Sequence, residues 1–469
     1  MSNRYLLKLN FLTFLVEVYT ITALLFEVKV PGSDYLTCNS HIELALSLLP
    51  LALALLSKYT EGWTTITIPT LLCSVMIPLA ASLKGLMKLS FSGLAAFLAI
   101  AQANCIAFFP VMKLIKPTGK FSVGYKDYDG KDGFKYCVFY PTLHPTKKRP
   151  TLISDSRAMK KYHEIAQGKT GDFPPRWFFE IIAHIYTKVK LYAGIDSPIA
   201  TQEELKANIN RDKMIPVIFS HGLGAAKHNY ASILSQLASR GFFVISIDHD
   251  DAVKSIFQGT MENAQKHLGC RLKELRRMFE DLFSETGTVA GLFGGKINLD
   301  MSRLTLMAHS YGGPTTYLVA WEDERVKNLV VLDPWFPPIQ RESLDRRLNC
   351  NILIFESENW SDMYPGDGIH ERNIQVVEAQ RESKAGAVYC RIPESEHNHF
   401  SDDFLIVGGV FKRLNVIKSI ATAKKVYEVT IKALDDFFEL VVAKAEGQEE
   451  FDKFMELYKG NKMFPLVKY

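Results

Sequence analysis

The chain has 469 residues, more than one typical domain needs, with 47% hydrophobic residues and a formal net charge of +4. No block of Lys and Arg with interleaved aromatics accompanies that small charge, which excludes a nucleic-acid partner. The seven cysteines (Cys38, Cys73, Cys105, Cys137, Cys270, Cys350, Cys390) are scattered, with no C-x-x-C pair and no histidine cluster at ligand spacing. They read as free thiols; neither a metal nor a cofactor site is implied.

The first segment, 1–115, holds four apolar runs, at 11–26, 42–56, 64–83 and 91–114. A bilayer core takes about 20 mostly apolar residues per helix. The third and fourth runs reach that length, the second is short, and the first carries Glu17. Buried core helices, or a signal peptide for the first run, are the plainer readings. Four runs in succession without an α/β pattern between them favour an all-α transmembrane domain. With four spans both ends share one side, which would hold Arg4, Lys8, Lys58, Lys113, Lys116 and Lys120, against Lys29, Lys84 and Lys88 on the other. That balance predicts a multi-pass protein with its large domain on the cytosolic or an equivalent side, in an endomembrane or the mitochondrial inner membrane.

From residue 116 the pattern changes to short β-rich runs separated by helical stretches. Strands are expected at 134–140, 216–220, 242–247, 303–307, 328–332, 351–355 and 387–392, with a long amphipathic helix over 261–286. Such alternation makes a mostly parallel sheet covered by helices on both faces, an α/β fold spanning 116–469. The segment 143–212 reads as an inserted cap, too poor in strand signals to be sheet. Within it Trp177, Phe178, Ile181 and Ile182 share one face of an amphipathic helix, which fits either a lipid interface or packing on the core. The tail, 416–469, reads as two packed helices.

The stretch "RLTLMAHSYGGPTTYLVA" (303–320) sets one serine between a candidate strand and a helix that opens on Pro314. A serine there can cap the helix. It can also occupy a nucleophile elbow, a strained turn that lifts Oγ above the sheet. Gly312 and Gly313 would let the helix pack close to the strand, while Ala308 stands where the commoner pattern has Gly. Two further strand ends carry matching chemistry: 328–332 ends in Asp333, and 387–392 leads to His397 and His399. The order Ser, Asp, His is the chain order of α/β-hydrolases. An oxyanion needs two backbone N–H donors, which Tyr311, after the serine, and Leu223, in "HGLG" after strand 216–220, would provide.

"PVIFSHGLGAAKHNYASILSQLASRGFFVISIDHDD", "AHSYGG", "VVLDPWFPP" and "EHNHFSDDF", with "PTGKFSVGY" upstream, resemble the blocks of the type II (plasma-type) platelet-activating factor acetylhydrolase family over about 110–440. The resemblance implies a calcium-independent, phospholipase A2-type serine esterase that removes short or oxidised sn-2 acyl groups from phospholipids. It puts Ser310, Asp333 and His397 on the triad and Leu223 and Tyr311 on the oxyanion hole. His397 rather than His399 is selected because the family's histidine precedes two variable residues and a Phe. The family's lipid-docking helix falls near Trp177 and Phe178, which tips that segment toward the bilayer. The alternatives are a structural or assembly subunit of a membrane complex that keeps the fold, with membrane-complex partners, and an esterase for non-lipid esters.

Overall fold

The computed structural model describes residues 13–21, 48–56, 67–82, 85–108, 114–153, 186–187, 189–251, 261–363, 365–381, 385–406, 423–444, 448–459, 461 and 466–468. The chain divides into two compact units, Met1–Lys113 and Leu114–Tyr469.

In the first unit α1 (Thr67–Ser82) packs against α2 (Gly85–Phe108). Small Ala95 and Ala99 allow that approach, meeting Cys73, Ile77 and Ile21 in a small core. Glu17 is buried in the same unit, where its carboxylate accepts the Ser74 hydroxyl at 2.6 Å. Among the described residues no helix is long and apolar enough to cross a membrane. This overturns the four-span expectation and, with it, the multi-pass location and the cytosolic placement drawn from loop charge. The physical reason lies in length and polarity. α1 has 16 residues with Pro78 inside, about 24 Å of helix against a hydrocarbon core of about 30 Å. α2 carries Lys88, Gln102 and Asn104 along its length. The first two apolar runs are helical over 13–21 and 48–56 in the described residues, and the first of these holds Thr13, Glu17 and Thr20.

The second unit is built on a ten-stranded sheet, ordered β10-β9-β8-β7-β6-β4-β5-β2-β1-β3. Its strands are β1 (Ser122–Asp129), β2 (Lys135–Thr142), β3 (Gly194–Ile195), β4 (Ile215–Ser220), β5 (Phe242–Ile247), β6 (Thr305–His309), β7 (Asn328–Leu332), β8 (Asn351–Ser357), β9 (Ala387–Ile392) and β10 (Leu466–Lys468). β4 through β9 run parallel, while β2 lies antiparallel to both β1 and β5, and β10 antiparallel to β9. β4, β5, β6 and β7 are buried along their whole length, as strands covered on both faces must be. The covering helices include α3 (Gln202–Ile209), α4 (Ala231–Ser239), α5 (Met261–Phe283), α6 (Gly312–Glu322), α7 (Ile369–Glu378), α8 (Ala423–Phe437) and α9 (Gln448–Leu457).

One feature of this topology positions the site. β4 has β5 on one side and β6 on the other, so the chain reverses its direction of travel across the sheet between them. The loops leaving the carboxyl ends of β4 and β6 therefore diverge and leave a crevice between them, the switch point where open α/β sheets bind ligands.

Departures from expectation within the second unit are local. The inserted segment contributes β3, which pairs with β1 through Gly124–Gly194 and Tyr125–Ile195. The tail ends in β10 as well as α8 and α9. Trp177, Phe178, Ile181 and Ile182 lie outside the described residues; Tyr186, on the same stretch, is buried, with its hydroxyl directed at the Asp403 carbonyl.

Candidate active site

Ser310 follows the last residue of β6 with φ +53°. A left-handed conformation at a non-glycine residue costs on the order of 1–3 kcal/mol and persists only where its surroundings impose it. Here Ser310 N–H donates to Leu332 O at 3.0 Å, and Ser310 O accepts Gly313 N–H at 2.8 Å and Trp335 N–H at 3.0 Å. Ser310 is not the helix cap, because α6 begins at Gly312 with Tyr311 in the cap position. The glycines hold the turn tight. A Cβ on Gly312 would lie 2.2 Å from Ser220 O, and one on Gly313 would lie 2.6 Å from Pro334 Cβ. Ala308 fits inside β6, fully buried in register between Ser220 and Val331.

Asp333 leaves β7 in the same left-handed region, φ +49°. That turn sets its carboxylate under the loop after β9, where His397 stands. His397 Nε2 lies 2.8 Å from Ser310 Oγ, and its Nδ1 lies 2.8 Å from Asp333 Oδ2. Three side chains from three strand ends form one hydrogen-bonded line. His399 is elsewhere engaged, its Nδ1 accepting Glu396 N–H at 3.1 Å.

Burial sets the electrostatics. It lowers the His397 imidazole below its ordinary value, so the ring rests unprotonated and can accept the serine proton. Burial also raises the Asp333 carboxyl, opposed by two hydrogen bonds from Ser357, whose N–H reaches Oδ1 at 2.8 Å and whose hydroxyl reaches Oδ2 at 2.5 Å.

The oxyanion candidates flank the crevice. Gly222 lies against the serine, since a Cβ there would stand 3.2 Å from Ser310 Cβ and 2.9 Å from His309 Nδ1. Among the described residues neither Leu223 N–H nor Tyr311 N–H donates a hydrogen bond. The Ser310 carbonyl is held by two amides, and a planar trans peptide directs the Tyr311 N–H the opposite way.

Other residues frame the line. Trp360 stacks on the His397 ring, centroids 3.5 Å apart and planes 11° from parallel. The His309 ring also neighbours it, tilted by 32° with centroids 4.6 Å apart. Gly222 N–H donates to Tyr230 Oη at 3.2 Å, so the Tyr230 proton is directed to His309 Nδ1 at 2.7 Å, and His309 Nε2–H donates to His397 O at 3.1 Å. Burial holds His309 far below its ordinary value, as this neutral tautomer requires. None of Ser357, Trp360, Tyr230 and His309 was marked by the sequence, since each acts through a contact distant along the chain.

The pattern described as "Platelet-activating factor acetylhydrolase, isoform II" matches residues 106–278 and 293–463. The chain belongs to this family. As a member of the platelet-activating factor acetylhydrolase family it is a serine hydrolase acting on carboxylic esters. Its relatives include the platelet-activating factor acetylhydrolases of Cavia porcellus, 23% identical over 382 residues, and Bos taurus, 22% identical over 382 residues. Each of those matches covers 73% of this chain and 80% of the relative. A ferulic acid esterase from Streptomyces cinnamoneus superposes with a TM-score of 0.50 at 17% identity, covering 70% of this chain and 92% of that one. That likeness shows the α/β-hydrolase fold.

Proposed function

We propose that this acetylhydrolase-family member hydrolyses short or oxidised sn-2 acyl esters of phospholipids, with Ser310 as nucleophile, His397 as general base and acid, Asp333 as its orienting carboxylate, and the Leu223 and Tyr311 amides as the oxyanion hole. The observation that carries the reading is the continuous line from Ser310 Oγ through His397 to Asp333 Oδ2, with both links at 2.8 Å.

In the forward step Ser310 Oγ bonds to the ester carbonyl carbon while its proton passes to His397 Nε2. The carbonyl oxygen becomes an oxyanion between the two amides, and Asp333 holds the imidazolium through Nδ1–H. Collapse breaks the acyl C–O bond, and His397 returns the proton to the lysolipid oxygen. Water then repeats the sequence on the acyl-enzyme. The relatives' shared name points to the acetyl ester of platelet-activating factor as the first substrate to try.

A fluorophosphonate probe should label wild type, and Ser310→Ala should abolish both labelling and ester turnover; a folded wild type that takes no label sinks the reading. A panel of acetyl, long-chain and oxidised phospholipids beside soluble aryl esters assigns the acyl preference. Equal turnover across the panel would leave a general esterase in place of a phospholipid one.

A further inference from the structure

α5 presents an apolar stripe to the hydrophobic core at Ala264, Leu268, Leu275 and Met278, and a charged residue, Arg271, falls in register with it. Arg271 is 2% exposed. Its Nε and Nη2 form a fork on Asp251, at 2.8 Å from Oδ1 and 2.5 Å from Oδ2. The same guanidinium reaches back to the loop after β4, with Nη1 at 2.6 Å from His221 O and Nη2 at 3.3 Å from Gly222 O. It also covers the Tyr311 ring, 4.7 Å from the centroid.

His221 completes the grip. Its Nε2 accepts His249 N–H at 3.0 Å, which leaves the ring proton on Nδ1, directed to Gly222 O at 2.7 Å. The Gly222 carbonyl thus accepts three donors: the neutral His221 ring, the cationic Arg271 and, across the turn, Ala225 N–H at 3.2 Å. Because the Gly222–Leu223 peptide is planar and trans, fixing that carbonyl fixes Leu223 N–H in the opposite direction. A cation on the carbonyl also polarises the peptide, which makes the N–H on its far side a stronger donor in a low-dielectric site. A buried ion pair is weak evidence for stability, since well-packed apolar replacements are often as stable or more so.

We infer that Arg271 is a positioning residue for ester hydrolysis: through the Gly222 carbonyl it aims and strengthens the Leu223 N–H that meets the developing oxyanion, while its bond to the His221 carbonyl holds the preceding peptide and its guanidinium braces Tyr311. The inference rests on the reading of Ser310, Leu223 and Tyr311 given above.

The test separates this role from plain packing. Replacing only the arginine strands a buried carboxylate, so the informative protein is the paired variant Arg271→Met/Asp251→Leu, which removes both charges and keeps the volume. On p-nitrophenyl acetate its kcat should fall about 10²-fold, the scale of losing one oxyanion donor, with KM within about threefold of wild type. Affinity for an alkyl trifluoromethyl ketone, whose serine adduct bears the oxyanion, should fall by a similar factor. Arg271→Lys keeps a cation beside Asp251 but cannot fork onto both carbonyls; it should melt near wild type with kcat lowered at least about tenfold. A folded paired variant with kcat within about threefold of wild type overturns the inference, as does a loss confined to KM. Should the paired variant not fold, Arg271→Lys decides alone by the same criterion. Wild type that takes no fluorophosphonate overturns both this inference and the assignment of Ser310, whereas labelled wild type with equally fast variants overturns Arg271 alone.

Discussion

At the scale of single residues the proposed mechanism turns on the imidazole of His397, a ring with two faces. Trp360 lies flat on one of them at 3.5 Å, close enough for its π-face to attract the imidazolium that the proposed attack by Ser310 would form. Such an interaction contributes about 0.5–2 kcal/mol, so Trp360→Leu should lower kcat about 2- to 30-fold. It should also shift the acid limb of kcat/KM. Burial already moves the His397 titration below 6.5, so activity is expected to persist into more acidic solution than an exposed histidine would allow. Loss of the tryptophan removes a stabiliser of the charged form and should move that limb lower still; a pH profile and kcat unchanged in the variant would exclude the stacking role. That Ser310, Asp333 and His397 would meet was legible in the sequence because each follows a strand and the three appear in the order Ser, Asp, His; the roles of nucleophile, acid and base belong to the proposed function. Trp360, Ser357, Tyr230 and His309 could not, since their roles exist only where β6, β8 and two loops meet. Arg271 did leave a trace, as the one charge on the apolar stripe of an amphipathic helix.

At the scale of elements the junction of β4, β6 and α6 decides whether the serine is presented at all. A Cβ on Gly312 would sit 2.2 Å from the Ser220 carbonyl oxygen, and that neighbour is strand backbone with no freedom to move aside. Gly312→Ala should therefore push α6 off the sheet, destabilising the protein by about 1–3 kcal/mol and moving Ser310 away from His397. Gly291, in the short helix Thr288–Leu292, is the control, because a Cβ there meets nothing within 4 Å. Gly291→Ala should leave turnover unchanged and hold or slightly raise the melting temperature. Urea unfolding and turnover on a soluble ester distinguish the two; equal behaviour would mean the close approach is unimportant. The strands with apolar runs on both faces, β4, β5, β7 and β9, were evident in the sequence to within a residue. β6 was anticipated at 303–307 and occurs at Thr305–His309, because 301–303 close a short 3-10 turn capped by Asp300 and the strand runs on to the serine. β1 escaped notice because its outer half alternates toward exposed Asp127 and Asp129, and β3 and β10 are too short to carry a periodic signal.

At the scale of the whole molecule hydropathy alone misled and pattern did not. Apolar composition over 1–115 resembled a membrane domain, yet α1 and α2 bury part of that surface against each other and against Ile21. Alternation of strand and helix after residue 116, by contrast, specified the layered sheet, because it reflects how the elements must be covered. The second unit also buries titratable groups whose effects on stability oppose one another. His249, His309 and His397 have folded values below 6.5, so their contribution is present above 6.5 and lost as pH falls. Asp402 and Asp435 are pushed up by burial, to about 7 and about 6 from an ordinary 3.8, so theirs is present in acid and lost as pH rises through those values. Between these limits each group contributes a slope of about 1.4 kcal/mol per pH unit, imidazoles and carboxyls with opposite signs. Asp402 offers a clean way to break the balance. Its carboxyl accepts Ser232 N–H at 3.0 Å and the Tyr427 hydroxyl at 2.8 Å, and an asparagine can meet both, its oxygen facing the amide and its NH2 donating to the phenol oxygen. Asp402→Asn should therefore fold, and between about pH 4.5 and 6.5 its unfolding free energy should drop on acidification about 1.4 kcal/mol per pH unit more steeply than that of wild type. Urea titrations at three pH values across that window measure the difference directly, and a variant whose stability runs parallel to wild type would show that Asp402 carries no proton in the folded state.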